Sequence, residues 1–306
     1  MTSARHPLPT DIVALVSFDG RVYPNEAKPL DRLGLGNDKP HALETALEQW
    51  FSFATGKHTW VSVHGATIRG LISARPRTKR TAWEIAVLIN TTDDDSVWQS
   101  LFTRMLSGIG KHGAERIFLR VHLDSPVREA ARAAGFFAYA EETLLRRPAL
   151  PPPPKSDLPV RRKAKSEALG VFQLYSREMP ANVRAIEGAT FREWQAAQEK
   201  WGGRFSDLVV EEDAVIAAWT RVVLGQVNRL AALSASSYDD IVSAALQLVG
   251  EREAHCLAPR HAPALVSALD RLGFEPAGEF CAMAKRLAKP AEELTPESAK
   301  EAITAN

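Results

Sequence analysis

The sequence predicts an α/β protein, α+β in looser usage, made of two like halves, and three observations predict it. An apolar helical pattern that stops at Gly-Phe and runs on into an alternating strand occurs at residues 130–147 and again at 268–286. Each such block closes the same succession of predicted elements, an antiparallel meander followed by helix, strand, helix and strand. A proline-rich, basic stretch separates the two successions.

The repeated block has a physical logic. A helix that must stop abruptly favours glycine just past its end, because glycine enters the left-handed region without steric cost. Gly135 and Gly273 fit that role. An aromatic directly after the glycine folds back on the last helical turn and fixes where the next strand begins. Phe136 and Phe274 supply it.

Bulk properties narrow the class. A chain of 306 residues is longer than one ordinary core and suggests two domains. Apolar residues make up 45% and charged residues 25%, and no apolar run is long enough to span a membrane. Residues 1–7 lead into no signal-peptide core, so a cytoplasmic protein is expected. The two cysteines, Cys256 and Cys281, read as buried reduced thiols rather than a disulfide framework. A formal charge of +1 argues against bulk nucleic-acid binding.

In chain order, residues 12–18 read as a strand turning at Asp19-Gly20. The segment 33–37 is weakly like a phosphate loop, but no strand leads into it and the spacing is incomplete, so an ordinary loop is the plainer reading. Asp38 and Pro40 open a helix with Leu43, Leu47, Trp50 and Ala54 on one face. Residues 60–63 and 66–74 form a hairpin about His64-Gly65, and the basic turn 75–80 leads into a third strand over 83–89. A helix over 96–112 carries Val97, Leu101, Met105 and Ile109 inward. Strand 117–123 and a helix from Pro126 complete the half.

Residues 148–167 change character, with four consecutive prolines and then Arg161, Arg162, Lys163 and Lys165. They read as a stiff, solvated linker. The second half repeats the first. A helix is expected over 180–201, then a meander over 208–233, and then Tyr238, Ile241, Val242, Ala245, Leu246 and Val249 at the spacing of Trp98, Leu101, Phe102, Met105, Leu106 and Ile109. A strand at 254–257, a helix from Pro263 and the Gly273-Phe274 block follow. The expected domains are thus 1–147 and 168–288, with a fraying tail over 289–306.

This order, carried by residues 125–136 and 264–274, resembles the GNAT acyltransferase superfamily, here as two GNAT-like domains in tandem. Each is expected to hold a mixed, mostly antiparallel sheet flanked by helices. The resemblance implies an acyl-CoA-dependent N-acyltransferase, with acetyl-CoA or another acyl-CoA as co-substrate, no metal, and a small-molecule or peptide amine as partner. The same resemblance leaves open a catalytically inactive binding or scaffolding protein.

In that family the pantetheine arm lies in the opening between splayed fourth and fifth strands, like an added strand. The resemblance places that opening beside residues 83–90 and 229–236, so Val87, Leu88 and Ile89 or Leu233, Ala235, Ser236 and Ser237 would hold the cofactor. The family's Arg/Gln-x-x-Gly-x-Gly/Ala phosphate loop is absent from both halves. Asn90 to Ser96 brings three aspartates where a phosphate would dock, better read as helix capping. Residues 234–238 offer small hydroxyls that can bind an anion or cap the helix.

By the same resemblance Glu84, the acid on the fourth strand, is the candidate base, its pKa raised by apolar neighbours. The alternative is an exposed strand residue. The family's thiolate-protonating tyrosine is replaced by Ala131 and Leu269, and Tyr139 reads as packing. His255 and Cys256, adjacent on a strand, point to opposite faces and cannot form a nucleophile pair. His58, His64, His112 and His122 lack close ligand spacing. Arg75, Arg77, Lys79 and Arg80 either grip an anion or form a solvated hairpin tip.

Overall fold

A computed structural model describes residues 3–11, 14, 23–35, 56–65, 67–155 and 158–287. The strand expected over 12–18, the helix opened by Asp38 and Pro40, and the tail from Lys289 lie outside these residues. The first half begins with strands β1 (Ser3–Arg5), β2 (His58–His64), β3 (Thr67–Pro76) and β4 (Ala82–Asn90). Strands β2 to β4 form the expected antiparallel meander, and β1, at residues where no strand is expected from the sequence, pairs with β2. Helix α1 (Asp95–Gly110), strand β5 (Arg116–His122), helix α2 (Val127–Ala133) and strand β6 (Phe137–Arg147) follow. Alternation on the strands and helical spacing on α1 put Trp60, Trp83, Leu101, Phe102, Met105 and Phe136 into one core.

The described residues of 148–167 are mostly exposed, yet the stretch is anchored at several points. Arg147 donates to the carbonyls of Leu150 (3.0 Å), Pro151 (2.7 Å) and Leu272 (2.8 Å), and Gln247 donates to Pro153 O. Leu158 and Val160 pack on the second core. Arg161–Arg162 then pairs as strand β7 with strand β8 (Phe205–Glu212). Between them lie helices α3 (Ala168–Glu178), α4 (Ala181–Glu187) and α5 (Phe191–Ala197). A single helix over 180–201 does not form, because Gly188 at φ 153° ends α4 and Thr190, capping the backbone N–H of Glu193, starts α5.

Strands β9 (Val215–Val223) and β10 (Arg229–Ser234), helix α6 (Tyr238–Val249), strand β11 (Ala254–Pro259), helix α7 (Pro263–Arg271) and strand β12 (Glu275–Arg286) complete the chain. Both glycines behave as their sequence context requires. Gly135 (φ 86°) and Gly273 (φ 83°) are left-handed. The N–H groups of Phe136 and Phe274 return to Ala131 O and Leu269 O at 2.9 and 3.0 Å, and both rings are buried.

The sheet has twelve strands in the order β1-β2-β3-β4-β5-β12-β6-β11-β10-β9-β8-β7. Its centre is an exchange. Strand β12, last in the chain, lies between β5 and β6 of the first half, and β6 lies between β11 and β12. Cys281 and Met283 of β12 accordingly pack in the first core, and Leu145 of β6 in the second. The two halves share one continuous sheet about the antiparallel β6–β12 pair. Among the described residues no helix is long and apolar enough to cross a membrane, and no cluster of three or more His, Cys, Asp or Glu side chains is placed to hold a metal.

Candidate functional site

Each half contains one parallel pair that opens into a cleft. Strands β4 and β5 pair only from Ala82↔Arg116 to Glu84↔Phe118. Beyond that point the chain fills the gap with its own residues. Asn25 Nδ2 donates to Ala86 O (3.2 Å), while its Oδ1 accepts from the N–H groups of Leu88 (2.8 Å) and Ala27 (3.1 Å). Glu26 N–H donates to Leu88 O (2.9 Å), and Lys28 N–H donates to Arg120 O (2.8 Å). Ser125 Oγ donates to Glu26 Oε2 at 2.7 Å.

Asn25 and Ala27 are fully buried. Residues 25–28 therefore lie between β4 and β5 as an added strand would. The expectation that Val87, Leu88 and Ile89 hold pantetheine is corrected accordingly. Both backbone groups of Leu88 are engaged, and Val87 and Ile89 are paired opposite Ser73 and Leu71 of β3, with side chains buried in a core.

The second cleft is different. Strands β10 and β11 pair only at Arg229↔His255 and Leu230↔Cys256. Beyond them Ala231, Ala232 and Leu233 line a cavity of about 220 Å³ that extends to Tyr238, Leu257, His261 and Leu265. Of the other residues expected to hold the cofactor, Ala235 N–H is spent on Ala217 O (2.9 Å) and Ser236 N–H on Ser234 Oγ (3.2 Å). Ser237 is the N-cap of α6 without a side-chain capping bond. The first turn of α6 also carries Asp239 and Asp240, with Asp239 held by Arg271 at 2.5 Å.

Side chains from both halves meet in this cavity. Arg120 of β5 donates to Glu142 of β6 (2.6 and 3.2 Å) and to Glu199 (3.0 and 2.7 Å). Arg77 donates to Ala197 O at 2.9 Å and pairs with Glu199 at 3.5 Å. These guanidiniums hold the Glu199 carboxyl down at about 2, against the upward push of burial. Arg120 itself is driven well above its usual range by Glu142 and Glu199, whose attraction outweighs burial.

Glu187, at the end of α4, is the exception. It forms no ion pair among the described residues and accepts one hydrogen bond, from Tyr175 Oη at 3.1 Å. Part of its surface faces the cavity, yet protein encloses it. Burial, aided by the charges of Glu142 and Glu199 and opposed by Arg77, raises its carboxyl to about 7. Burial likewise raises the hydroxyls of Tyr139 and Tyr175 and lowers His261. Arg116 of β5 fixes the loop around Glu187, donating to the carbonyls of Ile186 (3.1 Å), Glu187 (3.0 Å) and Glu193 (3.2 Å). The first half thus positions the second half's carboxylate.

Glu84 is placed elsewhere. It is neither exposed nor in apolar surroundings: it accepts from Arg75 Nε (2.7 Å) and Arg77 Nε (3.2 Å), with Arg75 also bound to Asp31 (2.7 Å). It is buried and does not line the cavity. Of the hairpin cations, Lys79 and Arg80 are exposed at the tip, whereas Arg75 and Arg77 turn inward. Arg77 is buried and stacks 3.9 Å from the Phe118 ring centroid. Cys256 is buried and free, its thiol pushed up to about 12.

Sequence reasoning missed Glu187, Glu199, Tyr175 and Arg116. Their one local signal is Gly188-Ala189-Thr190, which breaks the helix and leaves Glu187 at an element end.

No family model matches the sequence, and no curated protein matches it. Solved structures do resemble the fold. A GCN5-related N-acetyltransferase from Sphaerobacter thermophilus superposes with a TM-score of 0.58 at 11% identity, covering 93% of this chain and 95% of that one. A protein from Pyrococcus horikoshii named as a candidate acetyltransferase superposes with a TM-score of 0.52 at 16% identity, covering 94% and 90%. With its two like halves, this chain has the fold of the GNAT acetyltransferases in tandem.

Proposed function

We propose that the chain is an acyl-CoA-dependent N-acyltransferase whose one working site is the cleft of the second half. The observation that carries this reading is the difference between the two clefts: the first is filled by Asn25 to Lys28, whereas the second leads into the Glu187 cavity. The pantetheine arm fits along Ala231 to Leu233, where β10 has no strand partner on the β11 side. Bound there, acyl-CoA supplies an activated thioester.

The acceptor arrives as an ammonium and must lose a proton before its lone pair attacks the carbonyl carbon. Glu187, titrating near 7, is suited to take that proton at neutral pH. The amide bond forms as the carbon–sulfur bond breaks, and the thiolate leaves without a covalent enzyme intermediate. The proton held by Glu187 is then available to the departing sulfur or to water. Glu142 is bound by Arg120 and Glu199 by Arg120 and Arg77, so both carboxylates are engaged by guanidiniums and keep the cavity polar.

A second reading, an inactive binding module, draws on the start of α6. Asp239 and Asp240 lie where a pyrophosphate would dock, and like charges at about 4 Å oppose each other by roughly 4 kcal/mol at an effective dielectric near 20. Arg271 offsets part of this by its pair with Asp239. Calorimetry with acetyl-CoA separates the readings. One molecule bound per chain, with thiol release when an amine panel is added, is expected of the enzyme. No heat at millimolar ligand supports the binding module and removes the acyltransferase reading.

A further inference from the structure

A second recess adjoins the Glu187 cavity and has the opposite character. Its volume is about 540 Å³, and it shares Val171, Trp194, Gln198, Glu199, Trp201 and Trp219 with the first cavity. The residues found only in this recess include Lys79, Lys163, Lys200 and Arg221. Those found only in the first cavity include Leu233, Tyr238 and Leu265, on the cleft side. The two spaces border one another at the six shared residues, with the cleft and Glu187 on the side of the first and four cations on the side of the second.

The cations are only partly compensated. Asp207 accepts from Arg221 at 2.7 and 2.9 Å and lies 4.0 Å from Lys163. Glu199 is turned to Arg120 and Arg77. Lys200, half-buried, forms no ion pair or hydrogen bond among the described residues. Lys79 is exposed at the mouth. Burial, with the nearby charge of Arg75, lowers the Lys200 ammonium, and the carboxylates of Glu84 and Asp31 offset this only in part. The wall between is apolar and aromatic, with Arg221 stacked 4.0 Å from the Phe205 ring centroid and within 6 Å of the Trp201 and Trp219 centroids (5.7 and 5.5 Å).

We infer that the acceptor of this site is an elongated amine carrying an anionic group, carboxylate or phosphate, at the far end of an apolar spacer. Its amine sits at Glu187, its spacer against Trp194, Trp201 and Trp219, and its anion at Lys200 and Lys79. The inference rests on the acyltransferase reading for the role of Glu187, but the binding of the anion stands on the recess itself.

The test uses the full chain and matched probes: ω-aminohexanoate, ω-aminooctanoate and aminohexyl phosphate against hexylamine and octylamine. With acetyl-CoA present, at least one anionic probe is expected to exceed its plain amine about tenfold in kcat/KM, carried mainly by KM. Lys200→Met and, separately, Lys79→Met shrink that ratio severalfold. Lys79 is exposed, so its variant folds even if the Lys200 variant does not. Whether carboxylate or phosphate is preferred identifies the source of the anion. Plain amines that equal every anionic probe, or a ratio unmoved in both variants, would overturn the inference while leaving an acyltransferase. If no probe turns over, equilibrium binding decides: tighter anionic probes, weakened by either variant, uphold the anion site although the acyltransferase reading fails. Equal affinity, or no binding of any probe, overturns it.

Discussion

Glu187 gathers the chemistry at the level of single residues. The guanidiniums of Arg75, Arg77 and Arg120 bind Glu84, Glu142 and Glu199, while Glu187 has only a tyrosine hydroxyl. Its carboxyl near 7 has two separable consequences. A base must be unprotonated to act, so kcat/KM rises with pH through about 7. Glu187→Gln is expected to lower kcat by about 10²-fold to 10³-fold and to abolish that limb of the profile. An unchanged profile in the variant would assign the base elsewhere.

Stability runs the other way. A carboxyl raised from 4.5 to about 7 binds more protons folded than unfolded between those values, so stability falls as pH rises through this window. The penalty is complete above pH 7. Glu187→Gln removes it and still accepts from Tyr175, so the variant gains on the order of 3 kcal/mol at pH 8 and little at pH 4. Thermal unfolding at the two pH values reads the difference; equal shifts at both would show that burial does not penalise this carboxylate.

Elements explain why one cleft is closed and the other open. Residues 25–28 satisfy the edge of β4 through the Asn25 side chain and the Glu26 amide, and reach β5 through the Lys28 amide, where a ligand's amides would do so in an open cleft. Asn25→Ala leaves the Leu88 and Ala27 amides without their buried acceptor, at a cost of about 3 kcal/mol. Urea unfolding measures it, and a loss below about 1 kcal/mol would mean that water or a shifted chain replaces the side chain.

The filled cleft was not legible in the sequence. Asn25-Glu26-Ala27-Lys28 has neither period and no turn signature; its role exists only through partners on β4 and β5. By contrast, the Gly-Phe helix ends, the meanders and the α1 face were legible because their cause lies within a few residues. Glu84 was legible as an acid on the right strand but not as the partner of Arg75 and Arg77. That pairing depends on the β3–β4 register, which sets Arg75 opposite Glu84. Glu187 was hidden because its environment is assembled from β5, β6 and α3, far apart in the chain.

For the whole molecule, the exchange at the sheet centre decides how the halves depend on one another. Without β12, the first half leaves β5 and β6 with no strand between them and loses Cys281 and Met283 from its core. Without β6, the second half loses the strand between β11 and β12, and Leu145 with it. Exposed edges of this kind are templates for pairing with another chain. Fragments separated within Pro151 to Pro154 are therefore expected to be insoluble or dimeric when expressed alone. In a dimer of first halves, β6 of each copy would take the place of β12, since β6 and β12 are antiparallel and follow equivalent helices.

Expressed together, the fragments should associate into one stable complex with the anion and acyl-CoA binding of the intact chain, because the cavity needs Arg77, Arg116 and Arg120 from one and Glu187 from the other. Sedimentation and denaturant unfolding of each fragment and of the mixture test this. A first half that is monomeric and unfolds cooperatively by itself would show that the exchanged strand is dispensable, and the dependence of the site on both halves would then reduce to docking across a surface.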